Sequence, residues 1–283
     1  MTEGASATGA PERILVVANE TVGGRTLIEA VKAHADAGAI AARVICPQNR
    51  PKHGFVVHDD SVRMAAENRL QLTLAQLREA GVDATGEVTD PDPYTAVMDV
   101  LADEPADCLI VSTHPQTRSG WLRRSLVDRL RDETGLPVEH VVVDLEAERE
   151  QSVRTLVVAN QTMAGESLLK LLKGKADEER HSFIVIAPRS GGDIEADTHR
   201  LASTLESLQE AKLEAVGQIM DPDPYTAIQN ALQFYSVDEI VISTLPATRS
   251  GWLRGDLIAR VRSSTERPVE HLVIEPAQEK SKA

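Results

Sequence analysis

The chain holds 283 residues, 42% hydrophobic and 26% charged, a balance that fits a soluble globular protein and not a disordered one. Its formal charge of −14 sets up a negative field that argues against a nucleic-acid or anionic-membrane partner. The two cysteines, Cys46 and Cys108, both sit in apolar runs; they make neither a disulfide framework nor a metal site, and a reducing cytoplasm suits them.

Residues 1–12 are small and polar, without a basic start or an apolar stretch, and read as a disordered tail rather than a signal peptide. No apolar run approaches the length of a membrane span. The first predicted strand is the β-branched run 14–18, followed by a helix over 21–37 and a second strand over 42–46 stopped by Pro47. A long amphipathic helix spans 60–80, and a third strand over 84–88 runs into Asp90-Pro-Asp-Pro. A helix from Pro93, a strand over 108–111, a helix from near Ser119 and a strand over 138–144 complete the unit. After the charged stretch 146–152 the series begins again: strand 155–159, helix 162–178, strand 182–186 stopped by Pro188, helix 197–211 and strand 214–219. It ends with a helix from Pro224, a strand over 239–242, a helix from near Ser250, a strand over 269–275 and a tail over 277–283.

The repetition extends to single letters. Asp90-Pro-Asp-Pro-Tyr-Thr-Ala96 recurs unchanged from Asp221 to Ala227, and the segment from Ser112 to Arg123 is echoed from Ser243 to Arg254. The chain is a tandem duplication, with domains expected over 13–147 and 153–276. Strands alternating with helices predict, for each, a doubly wound α/β fold with a parallel sheet and helices on both faces. Asn19 matches Asn160 at an offset of 141, whereas Asp90 matches Asp221 at 131. The first repeat therefore carries ten extra residues between Pro47 and Arg69, either a surface loop or a lid beyond a strand end.

In such sheets, ligands bind outside the carboxyl ends of the strands. The candidate residues follow from that rule. After the first strand come Asn19, Thr21 and Gly24, with Asn160 and Thr162 in the second copy. Asp92 and Asp223 precede proline and read as helix N-caps, which leaves Asp90 and Asp221 for a ribose hydroxyl. After the fourth strand come Ser112, Thr113, Thr117, Arg118, Ser119 and Gly120, matched by Ser243, Thr244, Thr248, Arg249, Ser250 and Gly251. With Ser119 as N-cap, the free N–H groups of the fourth helix make an anion site. The arginines either add charge-assisted bonds to phosphate or keep the helix soluble. Trp121 and Trp252 share a helical face with leucines, which favours core packing. His140 and His271 have no cluster of ligating residues nearby, which argues against a metal. A phosphate-loop reading of Gly24-Arg25-Thr26 fails, because the second copy has Gly165-Glu166-Ser167.

From Arg13 to Pro276, the order of elements resembles the universal stress protein family in tandem form. The resemblance implies a five-stranded parallel sheet ordered 3-2-1-4-5 in each half, with the halves pairing as a pseudo-dimer; a further homodimer is left open. ATP-binding members carry an aspartate after strand one and G-x2-G-x9-G-[ST] after strand four. Here the aspartate is Asn19 or Asn160, and the glycines are Ser112, Pro115 and Ser125, or Ser243, Pro246 and Asp256. The hydroxyl position is Leu126 or Leu257. Pro115 and Pro246 have no N–H to donate. Asp256 would oppose a triphosphate by about 3 kcal/mol per like-charge pair at ~5 Å and an effective dielectric of ~20. ATP or another nucleotide stays open as cofactor, weakened by those three residues. The expectation is a cytoplasmic, stress-related or regulatory binding protein, not an enzyme, taking a small anion or a nucleotide. The alternatives are an interaction scaffold that binds no small ligand, and a nucleotide transferase or hydrolase.

Overall fold

The apolar runs that open each half become the centre of a sheet. The computed structural model describes residues 10–18, 24–48, 59–115, 125–144, 152–163, 166–190, 194–246, 250–254 and 256–275. In the first sheet β1 (Glu12–Val17) lies between β2 (Ile40–Pro47) and β4 (Cys108–Thr113), with β3 (Ala84–Thr89) and β5 (Val138–Val142) at the edges, in the order β3-β2-β1-β4-β5. In the second, β6 (Val153–Val158) lies between β7 (His181–Pro188) and β9 (Glu239–Thr244), with β8 (Glu214–Met220) and β10 (Val269–Val273) at the edges. All neighbours are parallel, and the register repeats: Leu15 faces Leu109 as Leu156 faces Ile240. The two five-stranded sheets with their helices are the expected doubly wound α/β folds. Residues of β4 and β7 are buried throughout, as helix cover on both faces requires, whereas β5 and β10 alternate with exposed positions.

The first set of helices is α1 (Arg25–Ala37), α2 (Asp59–Glu79), α3 (Pro93–Asp103) and α4 (Ser125–Thr134). The second is α5 (Glu166–Glu178), α6 (Ile194–Glu210), α7 (Pro224–Phe234), α8 (Gly251–Arg254) and α9 (Leu257–Ser264). The Asp-Pro turns start α3 and α7 as expected: Asp92 accepts from Thr95 N–H at 2.7 Å and Asp223 from Thr226 N–H at 2.9 Å. Two glycines let a helix lie on a strand. A Cβ on Gly86 would meet Leu70 Cδ1 at 2.7 Å and Val44 O at 2.8 Å, and one on Gly217 would meet Leu201 Cδ1 at 2.8 Å and Val185 O at 2.9 Å.

The chain divides into two units, Met1–Asn49 with Arg69–Leu145 and Arg50–Asn68 with Glu146–Ala283. This differs from a single break near 148–152: residues 59–68, the first part of α2, belong with the second unit. There Asn68 Nδ2 donates to Gly217 O at 3.1 Å and to Tyr235 Oη at 3.0 Å, while Tyr235 Oη donates to Gln218 Oε1 at 2.6 Å.

Several element boundaries differ from the sequence reading. β4 and β9 continue through Ser112-Thr113 and Ser243-Thr244 because each pairs to its end with the edge strand, Thr113 beside Val142 and Thr244 beside Val273. The fourth helix of the second unit does not run on from Ser250. It is a single turn, α8, and Asp256 then takes a left-handed conformation, φ 52°, before α9 begins. The corresponding start at Ser119 lies outside the described residues, of which α4 begins at Ser125. No helix among the described residues is long and apolar enough to cross a membrane.

Candidate functional site

Chain direction opens a cleft in the second unit. From β6 the chain crosses to β7 and from β9 to β10, so neighbouring central strands send their connections to opposite sides. At their carboxyl ends lies a cavity of about 180 Å³. Six of the expected residues line it: Asn160 and Thr162 after β6, Ser243 and Thr244 ending β9, and Ser250 with Gly251 entering α8. Gln161, Arg189, Ser190, Leu245 and Trp252 complete the lining among the described residues.

The floor carries unspent hydrogen-bonding capacity. Asn160 Nδ2 donates to Pro188 O at 2.5 Å, but its Oδ1 has no partner among the described residues although the residue is only 5% exposed. Ser243 Oγ, on a residue 1% exposed, also has none. Leaving such an atom unsatisfied costs about 1–3 kcal/mol, a cost that a bound ligand removes. Thr162 Oγ1 donates to Ser243 O at 3.1 Å and ties the turn after β6 to β9. Thr244 Oγ1 lies 2.8 Å from His271 Nε2. Burial, then Arg262, pushes the His271 imidazole pKa down, so it favours the neutral form.

One wall is built by ionic bonds. Ser190 gives its N–H to Asp197 Oδ2 at 2.8 Å and its O–H to Asp197 Oδ1 at 2.7 Å, and Arg200 pairs with the same carboxylate. Burial opposes the charge on Asp197, but the Ser190 bonds and Arg200 outweigh it and hold the carboxyl below its usual range. Arg189, next in the chain, is exposed and lines the cavity. The described lining thus has a cation and no carboxylate, in a chain of net charge −14.

The two acidic residues expected beside a ligand are not part of this cavity. Asp221 follows β8, an edge strand separated from β6 by β7, and its Oδ1 accepts Asp223 N–H at 2.9 Å to shape its own turn. Asp90 follows β3, the equivalent edge strand, and is exposed. Nor does Ser250 begin a full helix with an anion-binding end: α8 is one turn, and Ser250 N–H donates to Pro246 O at 2.9 Å. Trp252 is half-buried at the cavity rather than packed in the core. Asn19, Thr21, Thr117, Arg118, Ser119, Gly120, Thr248 and Arg249 lie outside the described residues.

In the first unit, Ser112 Oγ is also buried without a partner, and Thr113 Oγ1 lies 2.8 Å from His140 Nε2. Gly24 caps α1 with extended backbone, φ −71°, a conformation open to any residue. Arg189 and Ser190 were not expected in the site. The signal was available, because they follow the end of the second strand, as the other rim residues follow theirs.

Among the described residues, no group of three or more His, Cys, Asp or Glu is placed to hold a metal ion. No family model matches the chain, and no curated protein matches it. Among solved structures, the chain is similar to a universal stress protein from Archaeoglobus fulgidus DSM 4304 at 16% identity, covering 92% of this chain and 96% of that one, with a TM-score of 0.35. A lysine monooxygenase from Nocardia farcinica is matched at 12% identity over 74% of this chain and 71% of that one, with a TM-score of 0.15. Neither likeness is close enough to carry an argument about this chain.

Proposed function

We propose that this is a universal stress protein-like tandem protein that binds a small anion or nucleotide in the second unit's cavity, in a regulatory or stress-related role and without turnover. The observation that carries the reading is the pair of buried, unpartnered oxygens, Asn160 Oδ1 and Ser243 Oγ, lining one cavity beside Arg189. A ligand with a donor in the cavity would satisfy both. At about 180 Å³ the cavity is smaller than the ~300–1,000 Å³ of common small-molecule sites. That size, together with Pro246 and its missing N–H, speaks against a whole triphosphate.

The Thr244–His271 distance is that of a nucleophile and its base. The same pair recurs at Thr113–His140, and both hydroxyls are buried in their sheets. Cross-strand bracing accounts for both copies, which supports the reading of binding without chemistry. The two buried cysteines, Cys46 and Cys108, neither of them in a disulfide, agree with a cytoplasmic setting.

The test is a thermal-shift panel of nucleotides and phosphorylated metabolites at millimolar concentration on the full chain, with Ser243→Val beside it. A rise in Tm with one class of compound, lost in the variant, is expected. Silence across the panel removes the reading and favours the scaffold.

A further inference from the structure

We infer that the second unit's cavity selects ligands bearing one acidic group beside a hydroxyl or amide donor, with Arg189 reading the charge and Asp197 holding Arg189 in place. The inference rests on the binding reading above and adds the ligand's chemistry and the residues that discriminate it.

The donor requirement comes from Asn160. Its Nδ2 is committed to Pro188 O, so the orphaned Oδ1 can only accept, and only an N–H or O–H of the ligand satisfies it. Ser243 Oγ, also unpartnered, can donate or accept. The acid requirement comes from Arg189, the one cation in the described lining, which no lining carboxylate neutralises. A guanidinium at a cavity mouth favours a carboxylate or a phosphate monoester.

Arg189 follows the last residue of β7, where a chain leaving a sheet has freedom to turn away. Two bonds from Ser190 to Asp197 remove that freedom. Asp197 is fully buried, at 0% exposure. Burying a carboxylate is costly even when paired, and a serine turn on its own does not require one. The repeat shows the features travelling together. At the positions of Arg189, Ser190 and Asp197 the first repeat has Gln48, Asn49 and Ala66. The cation and the carboxylate that steadies it are both absent there.

The experiment is calorimetric titration of the full chain with ribose 5-phosphate, glycerate, ribose and ATP. One of the two small acids should bind about tenfold or more tighter than ribose, the effect of one charge-assisted contact. Preference for ribose 5-phosphate marks a phosphate site, and preference for glycerate marks a carboxylate site. Arg189→Gln, which copies the first repeat, should lower the acid-to-ribose ratio about tenfold. Asp197→Asn keeps the side-chain shape and should lower the same ratio by a smaller factor. Equal loss of affinity for acid and ribose in Asp197→Asn would leave that residue no role in selection and overturn the positioning. An unchanged ratio in Arg189→Gln overturns the inference while the binding reading stands. ATP binding more tightly than ribose 5-phosphate overturns it too. Failure of every probe, with Ser243→Val silent as well, overturns both.

Discussion

The two units share a frame and part company just beyond the second strand. Their backbones leave the sheet alike: Gln48 N–H donates to Thr89 O at 3.2 Å and Arg189 N–H to Met220 O at 3.3 Å. The side chains there have diverged. Arg69 and Arg200 occupy the same position on α2 and α6, but Arg200 pairs with Asp197, whereas Arg69 lies by Cys46, whose thiol is pushed up by burial and drawn back by that arginine. Cys46 in turn stands where the second repeat has Ala187. Much of the frame is shared. Each has its Asp-Pro cap, its glycine under a helix, its Thr–His brace, and an aspartate accepting the N–H of the strand-opening arginine, Asp107 for Arg13 and Asp238 for Arg154. Duplication has kept most of the residue types that line the cavity, Asn160, Thr162, Ser243, Thr244, Ser250, Gly251 and Trp252 among them, and varied the pair just after the second strand, Arg189 and Ser190.

The largest way to break that comparison is Asp197→Ala. It strands Arg200 and both Ser190 donors, and should destabilise the second unit by about 3 kcal/mol, the low end for a broken buried pair because Arg200 reaches solvent. The first repeat already has alanine there, Ala66, so hydrogen exchange resolved by unit should show the loss in the second unit alone. A loss spread evenly over both would mean the contact is not local. Next come the shared glycines. Gly86→Ala and Gly217→Ala each push a methyl against a backbone carbonyl and a leucine, and should each cost about 2 kcal/mol in urea unfolding. A clear inequality would show that one unit relaxes where the other cannot. Smaller again are Asp92→Ala and Asp223→Ala, each expected to cost about 1 kcal/mol. Matching losses would sharpen the claim of an identical frame.

How much of this was written in the sequence depends on whether the cause is local. Asp92 and Asp223 were legible as caps because a cap is a contact three residues long. The order of strands and helices was legible because burial on two faces leaves continuous apolar runs. Asp221 does not line the cavity because the distance between a β8 end and a β6 end is set by strand order across the sheet, not by adjacency to a turn. Ser243 and Thr244 read as loop because their polar side chains end an apolar run, yet pairing with β10 carries the strand through them. Arg189 could have been found from its place after the second strand, but nothing near Pro188 announces that Asp197, a turn into the next helix, will fasten Ser190.

The smallest expected difference is in response to acid, and it comes from one position at the end of the first helix. His34 has glutamates on both ring nitrogens, Glu12 at 3.0 Å and Glu139 at 3.1 Å. Burial opposes its charge, but the two glutamates outweigh burial and raise its pKa. Its contribution to stability is therefore complete below the unfolded value of ~6.5 and is lost as pH rises through the folded value. The second repeat has Lys175 there, bonded to Glu239 at 3.0 Å and Glu270 at 3.1 Å and charged throughout this range. His140, His181 and His271 run the other way. Burial lowers each, so each contribution is present above ~6.5 and is lost as pH falls toward the folded value. Between about pH 7.5 and about pH 5.5, His34 offsets His140 in the first unit, while His181 and His271 both weaken the second with no offsetting histidine among the described residues. Hydrogen exchange across that range should show the second unit losing more protection. His34→Lys should remove the offset and bring the first unit's response closer to the second's; if the variant leaves the first unit's acid response unchanged, His34 is not what separates them.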